Sequence, residues 1–254
     1  MSTVHHAAAG FDADADRYAR GRPDYPAELD LWLTSTLGLA PGKTAIDLGA
    51  GTGKFTRRLV SSGARVIAVE PAAAMREKLT ADLPGIETLD GMATAIPLPD
   101  ESADAIVCAQ AFHWFATADA LAEMRRVLKP GGKLGLIWNT RDDDVAWVKH
   151  LATMIDPYEG DAPRYHSGAW RRVFPAEGFA PLAEAVFRHE HAGPVEQVIV
   201  DRLLSVSFIA SRSLAERDAL AARLRAFAAS EPGLAGRDSV SVPYLTHAFS
   251  TTRL

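Results

Sequence analysis

The chain of 254 residues contains one cysteine. Cys108 therefore has no partner for an intramolecular disulfide, and its place in the apolar run AIVCA marks it as a small packed hydrophobe. No stretch approaches the ~20 apolar residues of a membrane span, and MSTVHHAAAG lacks a basic region ahead of an apolar core. A cytoplasmic protein with no membrane partner is expected. Positive charge is also short, with 27 Lys and Arg against 32 Asp and Glu for a net charge of −5. Nucleic-acid binding needs a field of the opposite sign, so a small-molecule ligand is the better expectation.

What is present is a regular alternation of helices and strands from about residue 26. Leu29, Trp32, Leu33 and Leu37 recur at helical spacing before Gly38, and Thr44 to Leu48 is a short apolar strand. A helix carrying Phe55, Leu59 and Val60 leads to the strand RVIAVE, and another beginning at Pro71 leads to IETLD. DAIVCA reads as a buried strand, Thr117 as the cap of a helix with Leu121, Met124 and Leu128, and KPGG as a turn ahead of the strand KLGLIW. Five strands with helical crossovers imply a parallel sheet. Leu182 to His191 is a further candidate strand, Val195 to Ala210 and Leu214 to Ser230 read as helices, and Ser239 to Ser250 as a final edge strand. The expected fold class is α/β: a Rossmann-like doubly wound sheet of about seven strands, mostly parallel with a late antiparallel strand, plus a helical cap. The expected organisation is one domain, with an N-terminal lid at 1–25, a core at 26–140, the cap at 141–178 and the remaining sheet and helices at 179–254.

The first strand runs into GAGTG, residues 49 to 53. Three glycines in five positions let a ligand approach the backbone closely, and the following helix N-terminus offers unpaired N–H groups. A triphosphate-binding loop would need a glycine where Leu37 stands ahead of Gly42-Lys43-Thr44, and no strand precedes it. A dinucleotide fingerprint would place its third glycine at Lys54, whereas here it falls at Gly53. The spacing GxGxG suits a ligand without a pyrophosphate. Glu70, ending the second strand about 20 residues on, is placed to accept both ribose hydroxyls of an adenosine. Asp47, inside the first strand, requires a partner and is expected to orient the turn or meet an ammonium group.

AIDLGAGTGKFTRRL, VIAVEP with Met75, AIPLPDESADAIVCAQAFHWF and EMRRVLKPGGKLGLIWN occur in order between about residues 44 and 139. Together they resemble the class I S-adenosylmethionine-dependent methyltransferases, particularly the methyltransferase type 11 group. FDADADRYARGRPDYP resembles the N-terminal segment of trans-aconitate-type methyltransferases, which closes over the cofactor. The resemblance implies S-adenosyl-L-methionine as cofactor, with Gly49, Ala50, Gly51 and Gly53 along its methionine and ribose, and Glu70 on the ribose hydroxyls. Pro71 and Met75 would border the adenine. Family members commonly carry an Asp where Met92 stands, so adenine would be met by Met92 and the backbone N–H of Ala93. Ala109 and Gln110 would face the methionine, and Tyr18 and Arg22 the cofactor carboxylate or the substrate.

Methyl transfer is an in-line displacement that needs alignment, exclusion of water and, for some acceptors, a base. His113, following the fourth strand, is the candidate base; its alternative is a hydrogen-bonded histidine in an aromatic cluster. Trp114, Asn139 and Arg141 are candidate substrate contacts, Arg141 by pairing with a carboxylate, or else as a solvated loop charge beside Asp142 to Asp144. His189 and His191 share one strand face, but further ligands for a metal are missing from the sequence. Trp147, Tyr158, Tyr165 and Trp170 either wall a pocket or pack a core. The expected protein is a small-molecule methyltransferase, monomeric or homodimeric; the alternative is an S-adenosylmethionine-binding protein without transfer activity.

Overall fold

The computed structural model describes residues 21–254, so Tyr18 lies outside the described residues. Helices and strands follow in the order α1 (Glu28–Ser35), β1 (Thr44–Leu48), α2 (Thr56–Ser61), β2 (Arg65–Val69), α3 (Ala73–Asp82), β3 (Glu87–Leu89), β4 (Ala103–Ala109), α4 (Ala118–Val127) and β5 (Leu128–Arg141). After these come α5 (Ala146–Ile155), β6 (Ala183–Gly193), a π-helix (Glu196–Asp201), α6 (Arg202–Leu204), α7 (Ser207–Ala210), α8 (Leu214–Ser230) and β7 (Val240–Thr252). No helix among the described residues is long and apolar enough to cross a membrane. The seven strands form one sheet in the order β3-β2-β1-β4-β5-β7-β6.

Parallel pairing joins β3 to β2, β2 to β1, β1 to β4 and β4 to β5. Gly131 and Gly132 exchange backbone bonds with Arg253, and Asp142 N–H donates to the Pro243 carbonyl, so β7 runs antiparallel to β5. The fold class expected from the sequence is the one found. Two local expectations are corrected. KPGG does not form a turn ahead of β5 but a bulge within it, because Ala103 pairs with Leu128 while Ala105 pairs with Lys133. The last strand is not at the edge: residues Ala248 to Thr251 are buried in succession, which requires cover on both faces, while no residue of β6 is fully buried. The edge strand is β6.

By chain contacts the molecule comprises two compact units. The first consists of Pro26–Trp138, Pro163–Phe187 and Thr246–Leu254. Its core gathers Ile46, Leu48, Ile67, Val69, Ile106, Leu134, Leu136 and Trp138 from the strands with Leu121, Met124 and Val127 of α4, each nearly inaccessible. Burial of such side chains is worth about 1.5–3 kcal/mol each. Thr117 caps α4 by accepting from Ala120 N–H, as its position predicts. Tyr165 and Trp170 join this core, their rings 5.9 Å apart and Trp170 4.5 Å from Trp138.

The second unit consists of Met1–Tyr25, of which residues 21–25 are described, with Asn139–Ala162 and Arg188–Leu245. The segment 141–178 is thus shared out between the two units, Trp147 and Tyr158 on one side and Tyr165 and Trp170 on the other. Val195 to Ala210, expected as one helix, is a π-helix and two short α-helices broken at Ser205 and Val206. The Ser205 hydroxyl donates to the Arg202 carbonyl at 2.8 Å, and Val206 is extended at φ −69° and ψ 132°. The α8 helix starts on a capping box formed by Ser213 and Glu216.

Candidate active site at the glycine turn

The turn after β1 is held by its neighbours in the first unit. Gly49 and Ala50 N–H both donate to the Val69 carbonyl, at 2.8 and 3.2 Å, and Gly53 N–H closes onto the Ala50 carbonyl at 3.0 Å. Gly53 has φ +81°, and a Cβ there would lie 2.8 Å from Cγ of Leu79 in α3, so only glycine lets helix and turn close together. Gly51 is different. It too has positive φ, at +56°, but a Cβ would meet nothing within 4 Å. Its open side is where a ligand could lie against the backbone.

Glu70 ties this turn to the next one. Its Oε2 accepts from Gly51 N–H and its Oε1 from Ala72 N–H, both at 2.9 Å, and the side chain is 8% exposed. A carboxylate fixed in this way is an acceptor of the kind that hydroxyl donors suit. Arg76 of α3 braces the Glu70 carbonyl at 2.8 Å. Two backbone donors thus fix the carboxylate before any ligand arrives.

Asp47 sits deeper, 1% exposed within β1. Oδ2 accepts from the Thr56 hydroxyl at 2.6 Å, while Oδ1 is buried without a hydrogen-bond partner. Burial pushes its pKa up from the usual 3.8 to about 7; the Thr56 bond opposes this and the Glu70 charge adds to it. A buried acceptor left open beside a second carboxylate is the arrangement that a cationic donor, such as an ammonium group, would satisfy. The adjacent Cys108 is fully buried, and burial followed by the Asp47 charge holds its thiol well above its ordinary pKa. It stays a protonated packing residue.

The other sequence-predicted residues of the first unit lie at or before α3, in the β3–β4 connection and at or after the end of β4. Met75 is buried in α3, whereas Pro71 is exposed. Met92 forms an isolated antiparallel bridge with Ala95, bonded at 3.0 and 3.4 Å, and the intervening Ala93 keeps a backbone N–H with no hydrogen bond among the described residues. At the end of β4, Ala109 is half-buried and Gln110 has φ +59°. A left-handed glutamine is uncommon and costs backbone energy, held here by its N–H bond to the Ile137 carbonyl at 2.7 Å.

Phe112, His113 and Trp114 form a 3₁₀ turn directly after it. Trp138 Nε1–H donates to His113 Nδ1 at 3.0 Å. Because indole is only a donor, Nδ1 must be the acceptor, and neutral His113 carries its proton on Nε2. In that state His113 offers a donor, and accepting a proton at Nδ1 would require breaking the Trp138 bond. The Trp114 ring lies 5.2 Å from the imidazole.

Arg22, Asn139 and Arg141 belong to the second unit. Asn139 Nδ2 donates to the Asp24 carbonyl at 3.1 Å, tethering the chain at residue 24 to the end of β5. Arg22 reaches the Ser205 carbonyl at 3.5 Å. Arg141 is not a solvated loop charge: Asp142 is taken by Arg188 at 2.5 Å, and burial pulls the Arg141 pKa below its usual value. Thr56, Arg76 and the Ala72 amide were not singled out in the sequence. For Thr56 a signal existed, since a buried acid in β1 calls for a donor in the helix that follows.

A surface cleft of about 710 Å³ lies elsewhere in the first unit among Asp100, Glu101, Arg125, Arg126, Glu177 and Arg253. Its charges satisfy one another, with Arg126 on Asp100 at 2.6 Å and Arg253 on Glu101 at 2.9 Å. That leaves the glycine turn as the better candidate.

Comparison with known proteins agrees. Residues 46–136 match the family model of the methyltransferase domain. A methyltransferase-like protein of Schizosaccharomyces pombe is 38% identical over 244 residues, covering 96% of this chain and 95% of its own. This chain belongs to the class I S-adenosylmethionine-dependent methyltransferases. A methyltransferase of Mycobacterium tuberculosis is 39% identical over 239 residues, covering 93% of this chain and 92% of its own. The structure of a type II methyltransferase from Anaeromyxobacter dehalogenans superposes with a TM-score of 0.64 at 24% identity, over 91% of this chain and 97% of that one. At that identity the likeness speaks for the fold alone.

Proposed function

We propose that this methyltransferase binds S-adenosyl-L-methionine on the glycine turn and transfers its methyl group to a small-molecule acceptor. The observation that carries the reading is the pair of carboxylates around Gly51. Glu70 is pre-fixed by the Gly51 and Ala72 amides, and Asp47 holds a buried oxygen that lacks a donor. The first suits ribose hydroxyls and the second the ammonium of the methionine portion; the open face of Gly51 admits the ligand's backbone. Ala93 N–H and the Met92 side chain suit an adenine edge. When bound, the cofactor supplies a methyl group already activated on a sulfonium sulfur.

The protein's own part is alignment and dryness. His113, with Nδ1 held by Trp138, acts as a donor through Nε2–H that orients an acceptor oxygen or nitrogen; the nucleophile supplies its own lone pair. A net charge of −5 favours a small molecule over nucleic acid, and the single reduced cysteine fits a cytoplasmic setting, as monomer or homodimer.

The test is incubation with methyl-labelled S-adenosylmethionine and panels of small acids, amines, phenols and thiols. Acceptor-dependent formation of S-adenosylhomocysteine above the blank is expected. If the cofactor binds and no class of acceptor is ever methylated, the transfer reading gives way to a binding protein.

A further inference from the structure

The outer strand of the sheet carries a charge pattern that methyl transfer does not use. β6 runs unbroken from Ala183 to Gly193 and ends the strand order, with β7 on one side and no strand on the other among the described residues. Alternate residues along its outer edge therefore turn an N–H and a carbonyl away from the sheet. Proteins that keep such an edge from pairing shorten it, cover it or place Lys or Pro in it. β6 is 11 residues long and contains neither Lys nor Pro.

Glu184, Val186, Arg188 and Glu190 share the exposed face of this strand, and Val186 is 50% exposed. The charges beside Val186 are held but not covered. Glu184 accepts from Arg171 at 3.1 Å and lies 3.3 Å from His247 Nδ1, with its side chain still 39% exposed. Arg188 bonds Asp142 through Nη1 at 2.5 Å and is 72% exposed.

The run Glu184-x-Val186-x-Arg188 is complementary to itself when reversed. With a two-fold axis normal to the sheet beside Val186, the two valines oppose each other and each Glu184 opposes the Arg188 of a second copy. Other registers lose this. An axis at Phe187 sets Glu184 against Glu190, and one at Glu184 or Arg188 sets a charge against its own copy. An axis at Ala185 leaves both charges opposite apolar side chains, Val186 and Leu182. An axis at His189 pairs Arg188 with Glu190, but leaves Val186 against Ala192 and runs Glu184 into Pro194, outside the strand.

We propose that β6 is a self-association edge, through which two copies of this chain pair antiparallel about Val186 and join their sheets into one. The occupant is a second copy rather than an unrelated strand, because the reversed sequence itself supplies Arg against Glu184 and Glu against Arg188. A strand-edge contact is small, so the dimer is a reversible one that forms in the micromolar range. The proposal holds whatever the methyl acceptor is.

The test is sedimentation velocity on the full chain at low ionic strength, from about 1 to about 200 μM. The wild type is expected to pass from monomer to dimer across that range. Glu184→Arg and Arg188→Glu each set like charges across the axis and should weaken association about tenfold or more, as should Val186→Lys. Mixed in equal amounts, Glu184→Arg and Arg188→Glu should associate within about threefold of the wild type, because every opposed pair is again Arg with Glu. The mixture also separates this effect from misfolding, since two misfolded chains would not repair each other.

A wild type that stays monomeric throughout overturns the proposal. So does a dimer that both single variants leave intact, which would place the contact on another face. Loss of association in each variant without recovery in the mixture overturns the register and the recognition of a second copy through it. None of these outcomes depends on S-adenosylhomocysteine, whose binding tests the function proposed above.

Discussion

The glycine turn and the arginine group of the second unit, Arg141 and Arg202 with Tyr244, are both polar arrangements in largely buried surroundings, yet they hold their polar atoms in opposite ways. At the turn nearly every group has a partner: two amides on the Val69 carbonyl, two on the Glu70 carboxylate, and a hydroxyl on Asp47. One oxygen, Oδ1 of Asp47, remains unpartnered. In the arginine group the proportions reverse, with open donors on Arg141, Arg202 and Tyr244. The turn is a frame that backbone has already set, whereas the arginine group has no such frame among the described residues.

The sharpest way to break the turn is Glu70→Ala, which removes two backbone anchors and the acceptor for the ligand's hydroxyls. S-adenosylhomocysteine affinity should fall about a thousandfold, roughly 4 kcal/mol, by calorimetry. Retention of affinity within tenfold would mean that the ligand lies elsewhere.

Asp47 gives the next largest effect, on stability. Its folded pKa of about 7 lies above the usual 3.8, so the folded state binds the proton more tightly than the unfolded one. The stabilisation this provides is complete below about pH 4 and is lost as pH rises through 7, on the order of 4 kcal/mol in all. Asp47→Asn should therefore melt higher than wild type at pH 8 and close to it at pH 5. Equal melting temperatures at pH 8 would show that the carboxylate is not penalised there.

Gly53→Ala should cost about 2 kcal/mol, since φ +81° and the Leu79 contact both resist a Cβ. Denaturant unfolding would measure it, and a loss below a few tenths would mean that the turn and α3 are looser than described. Trp138→Phe keeps the ring but removes the donor to His113, for about 1 kcal/mol. It should also free Nδ1, so that the tautomer balance of the His113 ring shifts, read from its ring-nitrogen chemical shifts by NMR. Unchanged ring-nitrogen shifts would place the proton otherwise than the Trp138 bond does.

How much of this could be read beforehand differs between the two regions. Asp47, GAGTG and Glu70 are local or strand-end features at fixed spacing, and the structure places them in one network within the first unit. The bulge at KPGG was misread because Pro-Gly-Gly carries the same local signal in a turn and in a bulge; only the partner strand distinguishes them. The inner position of β7 depends on what covers its second face, which alternation at Ser239 to Ser250 does not encode. Tyr244 carries no mark of its own, and its meeting with Arg141 depends on the β5-β7 register. Arg202 did leave a trace, a charge inside the apolar run VIVDRLL, but a lone charge in such a run does not say what lies beside it in the fold.

The central claim is that the carboxylates around Gly51 bind a sulfonium nucleoside. Its most direct test is calorimetric titration of the full-length protein with S-adenosylhomocysteine, wild type beside Glu70→Gln, with a nicotinamide dinucleotide as control. Stoichiometric binding to the wild type, at least tenfold weaker in Glu70→Gln and absent for the dinucleotide, is the predicted result. No binding to the wild type, or equal binding to both proteins, would contradict it.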